Sequence, residues 1–236
     1  MKRSTLLLMA TAVALLTASC AQKTYYQMYQ TRQAPQQSMQ AVATASNGDY
    51  TVAFNFFAPN GNTSFTVTNN SDRVLSILLD QSFLVINGKS HTFFQNRVWE
   101  TSERFRTTST KTQYVEMPVI TIAPHSSYTV DCPLHLQEEM IAICGIKDTP
   151  GRKTSGTTFT AETSPVKFSY YITMGIAPNA TELYEASFYV DEIVNVNHST
   201  MIVTKHLLDE CGKENGPKVN TFTLEGADRF YIPYMR

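Results

Sequence analysis

From Asp49 onward the chain is written in short apolar and polar alternations, cut by turn residues at intervals too close for a crossover helix. Tyr50 to Phe56 and Thr63 to Thr68 read as two strands joined through Pro59-Asn60-Gly61, and they should pair as a hairpin. Asn69-Asn70-Ser71-Asp72 makes the next turn, Val74 to Leu79 and Phe83 to Ile86 follow, and Asn87-Gly88 sends the chain back through Lys89 to Phe94. Val115 to Ile122 and Ser127 to Cys132 lie on either side of Pro124, which cannot donate to a ladder and so marks a turn or a crossing. Further strands are expected at 157–163, 166–174, 186–194, 200–206, 218–224 and 229–234, and residues 135–143, with Glu138, Glu139, Met140 and Ile141, read as the one short helix. A parallel α/β sheet would need long crossover helices, so the expected fold is all-β: an antiparallel β-sandwich with a short helix and an N-terminal tether.

The N-terminus reads as an export signal. Lys2 and Arg3 precede an apolar stretch over residues 5–16, and small residues lead up to Cys20. The stretch is shorter than the roughly 20 residues a permanent membrane helix needs. Leu16-Thr17-Ala18-Ser19-Cys20 resembles the lipobox of bacterial lipoproteins, although Thr17 stands where Leu, Val or Ile is commoner. The resemblance implies cleavage before Cys20, acylation of its thiol and new amino end, and a lipid anchor; the alternative is cleavage elsewhere by an ordinary signal peptidase. Several acyl chains hold a protein on a membrane far more firmly than one. Ala21 replaces the Asp that favours inner-membrane retention in some bacteria, which points by the same resemblance to the outer membrane.

The expected organisation is therefore a signal peptide at 1–19, a lipid-anchored tether at 20–47, and a β-sandwich at 48–236, either whole or as two sub-domains at 48–133 and 134–236. The tether reading rests on seven Gln between Gln22 and Gln40, with Pro35. A flexible segment of that length would span about 25 to 30 Å. Tyr25, Tyr26 and Tyr29 interrupt it, either to sit at the lipid interface or to dock as an early strand.

Charge excludes some functions. Without Lys2 and Arg3, 17 basic residues face 20 acidic ones, a net of −3. The densest basic run, Arg97 to Lys111, also carries Glu100 and Glu103, so it reads as a solvated hairpin and no nucleic-acid partner is expected. Cys132, Cys144 and Cys211 follow Cys20; three thiols allow one disulfide, whose pairing the spacing leaves open, or three free thiols.

No chemistry-bearing motif is complete. Cys132, His135 and Cys144 fall short of the four ligands usual in a structural zinc site, so no metal or other cofactor is expected. Ser164-Pro165-Val166-Lys167 has the Ser-x-x-Lys form of penicillin-binding enzymes, but in a strand region and without companion motifs. Asn87-Gly88-Lys89-Ser90 echoes the end of a phosphate loop, yet Phe83 stands at the first glycine position. Asn62, Asn69, Asn179 and Asn197 begin Asn-x-Ser/Thr triplets, which are expected on surface loops. Phe93, Phe94, Trp99 and Phe105 lie in the long segment 88–112, and Trp99 and Phe105 are the aromatics placed best to meet a sugar or a partner protein.

Tyr25-Tyr26-Gln27-Met28-Tyr29, Ser82 to Gly88, Phe94-Gln95-Asn96-Arg97, Pro118 to Pro124 and Phe230-Tyr231-Ile232 resemble an uncharacterised family of Bacteroidetes-type exported proteins. The resemblance implies a cell-envelope location and, since that family has no established activity, adds no site. Val67 to Asp72 and Ile122 to Ser127 resemble the strand and turn phrases of immunoglobulin-like domains in bacterial envelope proteins, so the expected sandwich is immunoglobulin-like. The expected function is that of a non-enzymatic envelope lipoprotein, an interaction or assembly module whose partners are membrane lipid through acylated Cys20 and an envelope protein or glycan. Two alternatives stand beside it: a carbohydrate-binding accessory protein, and an enzyme using Cys132, Cys144 or His135.

Overall fold

The computed structural model describes residues 23–34, 42–44, 48–105, 108–151, 153–176 and 180–236. In chain order the strands are β1 (Thr24–Gln33), β2 (Val42–Thr44), β3 (Tyr50–Phe54), β4 (Phe65–Asn69), β5 (Leu75–Ile86), β6 (Lys89–Thr92), β7 (Val98–Phe105) and β8 (Thr108–Val115). They continue with β9 (Val119–Ile122), β10 (Ser127–Val130), β11 (Ser155–Thr158), β12 (Lys167–Ile176), β13 (Ala180–Asn197), a one-turn helix α1 (His198–Met201), β14 (Ile202–His206), β15 (Lys218–Phe222) and β16 (Arg229–Met235). The protein is an all-β antiparallel sandwich. A large sheet runs β16-β1-β13-β12-β5-β6, with β11 added to β13 and β9 to β5, and a small sheet runs β10-β4-β3-β2. The large sheet's eight strands exceed either sheet of a seven-strand immunoglobulin domain.

The period-two pattern explains the layers. Tyr50, Val52 and Phe54 on β3, and Phe65 and Val67 on β4, alternate with half-buried residues and turn toward the large sheet. They meet Phe168, Tyr170 and Ile172 of β12 and Tyr184, Ala186 and Phe188 of β13. Phe54 sits at the centre, its ring 4.5 Å from Tyr170 and 5.3 Å from Phe188 between centroids. Each large side chain wholly withdrawn from water contributes roughly 1.5–3 kcal/mol. This core draws on residues from both sides of position 133, so the halves 48–133 and 134–236 form one unit rather than two sub-domains.

Three features depart from the sequence reading. Thr24–Gln33, placed within the 20–47 tether, is an interior strand paired with β13 on one side and β16 on the other. Tyr29 and Gln27 face the main core, whereas Tyr26 and Met28 are buried on the opposite face under α1 and the β14–β15 hairpin, with Met201, Val196 and Tyr231. The strand fate of these tyrosines is therefore the one observed, and the folded part starts well before residue 48. Residues 35–41 and 45–47 lie outside the described residues.

The two expected strands at 74–79 and 83–86 are one strand, β5, with a bulge in its middle. Leu75, Ile77 and Leu79 are buried, then the phase shifts and Ser82 and Leu84 are buried. Ser82 holds the bulge: its hydroxyl donates to the Leu78 carbonyl at 2.6 Å and accepts from the Thr173 N–H at 2.9 Å.

The helix expected at 135–143 does not form. Leu134, Leu136, Met140, Ile141 and Ile143 pack irregularly against the core, and the backbone finds tertiary partners instead of helical ones. The N–H groups of Leu136 and Gln137 both donate to the Asn60 carbonyl, at 2.9 and 3.1 Å. The helix that does form, α1, is capped by Asn197, whose side chain accepts from the Thr200 N–H at 2.8 Å.

Candidate functional site

Among the described residues the two sheets do not close along one side. Pro118 and Ala123–Ser126 frame β9, which ends the large sheet's pairing beside the N-terminal half of β5, and β10 ends the small sheet. The short link over residues 123–126 carries the chain from one edge to the other. Asn69 fixes that link: its side-chain amide donates to the carbonyls of Arg73, Ile122 and Ala123 at 2.7, 3.3 and 3.1 Å. Asn69, expected on a surface loop, is wholly buried for this reason.

The ladder phase shows which backbone groups face outward. Leu79 N–H donates to Pro118 O at 2.7 Å, so Ile120 is in a bonded pair with Ile77, and Val119 and Thr121 direct their main-chain groups away from β5. Asn69 N–H donates to Ser126 O at 2.9 Å, so Tyr128 and Val130 bond β4, and Thr129 presents its N–H and C=O on the other side. Among the described residues β10 pairs with β4 alone, and β9 with β5 alone.

Between these edges lies a groove of about 350 Å³. Its floor is core material: Leu79 and Val130 are buried and Ile120 half-buried. Its rim is apolar and exposed, with Met117 65% accessible, Val115 54%, Tyr128 45% and Val119 42%. Val98, cross-strand from Val115 and more than half exposed, extends the patch onto the β7–β8 hairpin. A cluster of this kind on a soluble surface marks an interaction site more often than chance exposure does.

An ion pair closes one end. Glu116 is buried and receives the Arg97 guanidinium through Nε at 3.0 Å and Nη2 at 2.5 Å, together with the N–H groups of Gln95 at 2.8 Å and Arg97 at 3.1 Å. Arg97 also donates to the outward carbonyl of Asp131 at 3.2 Å, tying the hairpin base to the end of β10. Burial alone would raise the Glu116 carboxyl, but hydrogen bonds from Arg97 and from the two N–H groups outweigh it and hold the group below its ordinary value.

The solvated hairpin expected at 97–111 is β7–β8, with Lys111 paired to Glu100 at 2.6 Å. Trp99 and Phe105 both lie on β7: Trp99 stands opposite Tyr114 near the base and Phe105 opposite Thr108 near the tip. The two are thus six residues apart on one strand of the hairpin. Phe93 is buried against Phe65 in the core. Cys20 lies outside the described residues.

No family model, curated protein or solved structure matches the chain.

The other candidate residues have structural surroundings. Ser164 Oγ donates to Val166 O at 2.9 Å and accepts from Val190 N–H at 3.1 Å, while Lys167 Nζ donates to Glu162 O at 2.8 Å, so each has its own partners. Asn87 and Gly88 have φ of 48° and 80°, the left-handed pair of a tight hairpin turn. Cys132 is half-buried, Cys144 and Cys211 are exposed, and all three are free thiols. Among the described residues no three of His, Cys, Asp and Glu gather as a metal site. Residue-by-residue reading missed the seam because it belongs to two strand edges that only the sheet pairing brings together. The apolar residues at 115, 117 and 119 are its local trace, and they fall within the single expected strand 115–122, which the structure divides between the end of β8 and β9.

Proposed function

We propose that this protein is a lipid-anchored bacterial envelope module without catalytic activity, and that it binds an extended segment of a partner protein along the seam between β9 and β10. The observation that carries the reading is the pair of outward strand edges, at Val119/Thr121 and at Thr129, facing a groove whose floor is core. A peptide strand laid there satisfies main-chain donors and acceptors on the edges and covers the apolar rim at once. The lipobox at Cys20 supports the anchored half of the reading.

The test is binding of immobilised extended peptides with alternating apolar residues, run beside a glycan array. The natural protein is expected to bind the peptides. Thr129→Pro, which deletes an outward N–H and keeps the main-chain bonds to β4 while losing the hydroxyl pair with Thr66 at 2.9 Å, should weaken binding by about tenfold, the equivalent of roughly 1.4 kcal/mol, with Thr129→Val as the control for the hydroxyl. Equal binding by Thr129→Pro sinks the seam. Glycan binding abolished by Trp99→Ala would replace it with the carbohydrate reading.

A further inference from the structure

Lys23 is the first described residue, and its main chain is already tied into the sheet: Lys23 N–H donates to Arg236 O at 3.1 Å and Arg236 N–H to Lys23 O at 3.2 Å. Cys20 is three residues away. At full extension that distance is at most about 11 Å, well short of the 25 to 30 Å span expected of a long tether. An acylated Cys20 therefore holds this end of the sandwich within contact range of the bilayer surface.

The residues gathered at that end suit a phospholipid surface. Tyr25 stacks on Tyr234 with centroids 5.7 Å apart, and the Arg236 guanidinium lies 5.6 Å from the Tyr234 ring. Lys23, Lys147 and Arg236 are exposed there, with Asp148 as the acidic neighbour, 3.3 Å from Arg236. An open concavity of about 760 Å³ runs between Lys23, Tyr25, Thr149 and His198. Tyr234 is buried, its hydroxyl donating to Asp148 O at 2.8 Å, so half-buried Tyr25 and the exposed cations are what this end offers an anionic headgroup layer.

The register then sets the direction of the rest. Asn197 of β13 is opposite Tyr25 at the anchored end, whereas Ala180 at the other end of β13 is opposite Ile176, Ile176 opposite Leu75, and Leu75 opposite Ile122 of the seam. Those 18 residues of β13 measure roughly 55 Å along the strand.

Resting on the reading of Cys20 as acylated, we infer that the sandwich stands on the membrane through the end formed by Lys23, Tyr25, the 147–151 loop and α1, and holds the β9–β10 seam away from the lipid. The test uses the full acylated protein in vesicles of phosphatidylethanolamine and phosphatidylglycerol doped with a nitroxide-headgroup lipid. A tryptophan is introduced at exposed Thr149 (Thr149→Trp with Trp99→Tyr), with Ser199→Trp in the same background as a second probe. Either probe is expected to lose most of its emission in vesicles and to keep it in the Cys20→Ala protein. The natural protein, whose sole tryptophan is Trp99, should keep its emission. A flexible Gly/Ser insert of about twenty residues between Ala21 and Gln22, which adds about 25 Å of reach, should restore most of the lost emission.

Intact mass is read on the same samples, which separates the two possible failures. An unmodified Cys20 removes the anchor and this inference together. Acylated protein with unquenched probes, quenching of Trp99 to the same degree, or quenching unchanged by the insert overturns the seating alone.

Discussion

Gln27 on β1 stands directly opposite Asn195 on β13, and the two buried amides bond each other, Gln27 Nε2 donating to Asn195 Oδ1 at 3.0 Å. From this pair the network reaches the irregular segment 135–148. Gln27 takes the Ile141 N–H at 2.7 Å and returns a donor to the Ile141 carbonyl at 3.0 Å, while Asn195 donates to Lys147 O at 3.1 Å. The Tyr29 hydroxyl also donates to Gln27. One glutamine side chain thus does for Ile141 what a neighbouring strand would do, and the segment has no need of helical bonds.

Replacing Gln27 by Leu should therefore be costly out of proportion to its size. It removes the donor to the Ile141 C=O and to Asn195 Oδ1 and leaves the Ile141 N–H only its long 3.4 Å contact with the Tyr29 hydroxyl, and buried unsatisfied groups cost about 1–3 kcal/mol each before relaxation. A loss of about 3 kcal/mol is expected from urea unfolding, with faster amide exchange over 135–148 than over β12. A stability equal to that of the natural protein would show that the network is not what fixes the segment.

Glu116 gives a prediction at acid pH. Its carboxyl is held below the ordinary value of 4.5 in the folded chain, so it binds a proton more readily once unfolded. The stability it contributes is fully present above about pH 4.5 and is lost as the pH falls through the lower folded value. Glu116→Gln should destabilise at neutral pH and flatten the fall in denaturant midpoint below pH 4.5; an unchanged acid profile would show that the Arg97 pair contributes nothing there.

At alkaline pH the tyrosines act with the opposite sign. Burial raises Tyr29, Tyr50, Tyr170 and Tyr184 well above 10.0, and raises Tyr234 to about 12. Their contribution is present below pH 10 and is lost as the pH climbs toward the folded values, because the unfolded chain releases protons that the fold retains. Tyrosinate absorbance should rise in two stages, exposed rings first and buried rings together with loss of near-ultraviolet dichroism. A single gradual titration with the fold intact would contradict this burial.

Gly61 has φ of 83°, and a Cβ there would meet the Leu136 side chain at 2.8 Å. Gly61→Ala combines a left-handed backbone, costing roughly 1–2 kcal/mol, with that collision. The expected result is a loss of about 2 kcal/mol or more in thermal or urea unfolding. Gly88→Ala, with open space around its Cβ, should lose only the backbone part, and equal losses at the two sites would dismiss the Leu136 contact.

The hairpins were legible because their information is local. Pro59-Asn60-Gly61 and Asn87-Gly88 carry the backbone angles their turns need, and the alternation on β3, β4 and β12 repeats at the period of a strand. The bulge in β5 was less so: Asp80-Gln81 looked like a break, and only pairing with β12 on one side, through Ser82, makes it a kink inside one strand. Residues 135–143 have helical composition but lie where the Asn60 carbonyl and Gln27 offer better partners.

By itself the sequence determined the class of fold, the positions of the tight turns and the overall charge, since each depends on neighbouring residues or on composition. The tertiary structure decided what depends on contacts distant in the chain. Gln27 could be recognised as core only once Asn195, 168 positions on, was beside it. The seam exists because β9 ended in one sheet and β10 in the other, unpaired with each other among the described residues, and no local pattern of residues encodes which edges two sheets leave side by side.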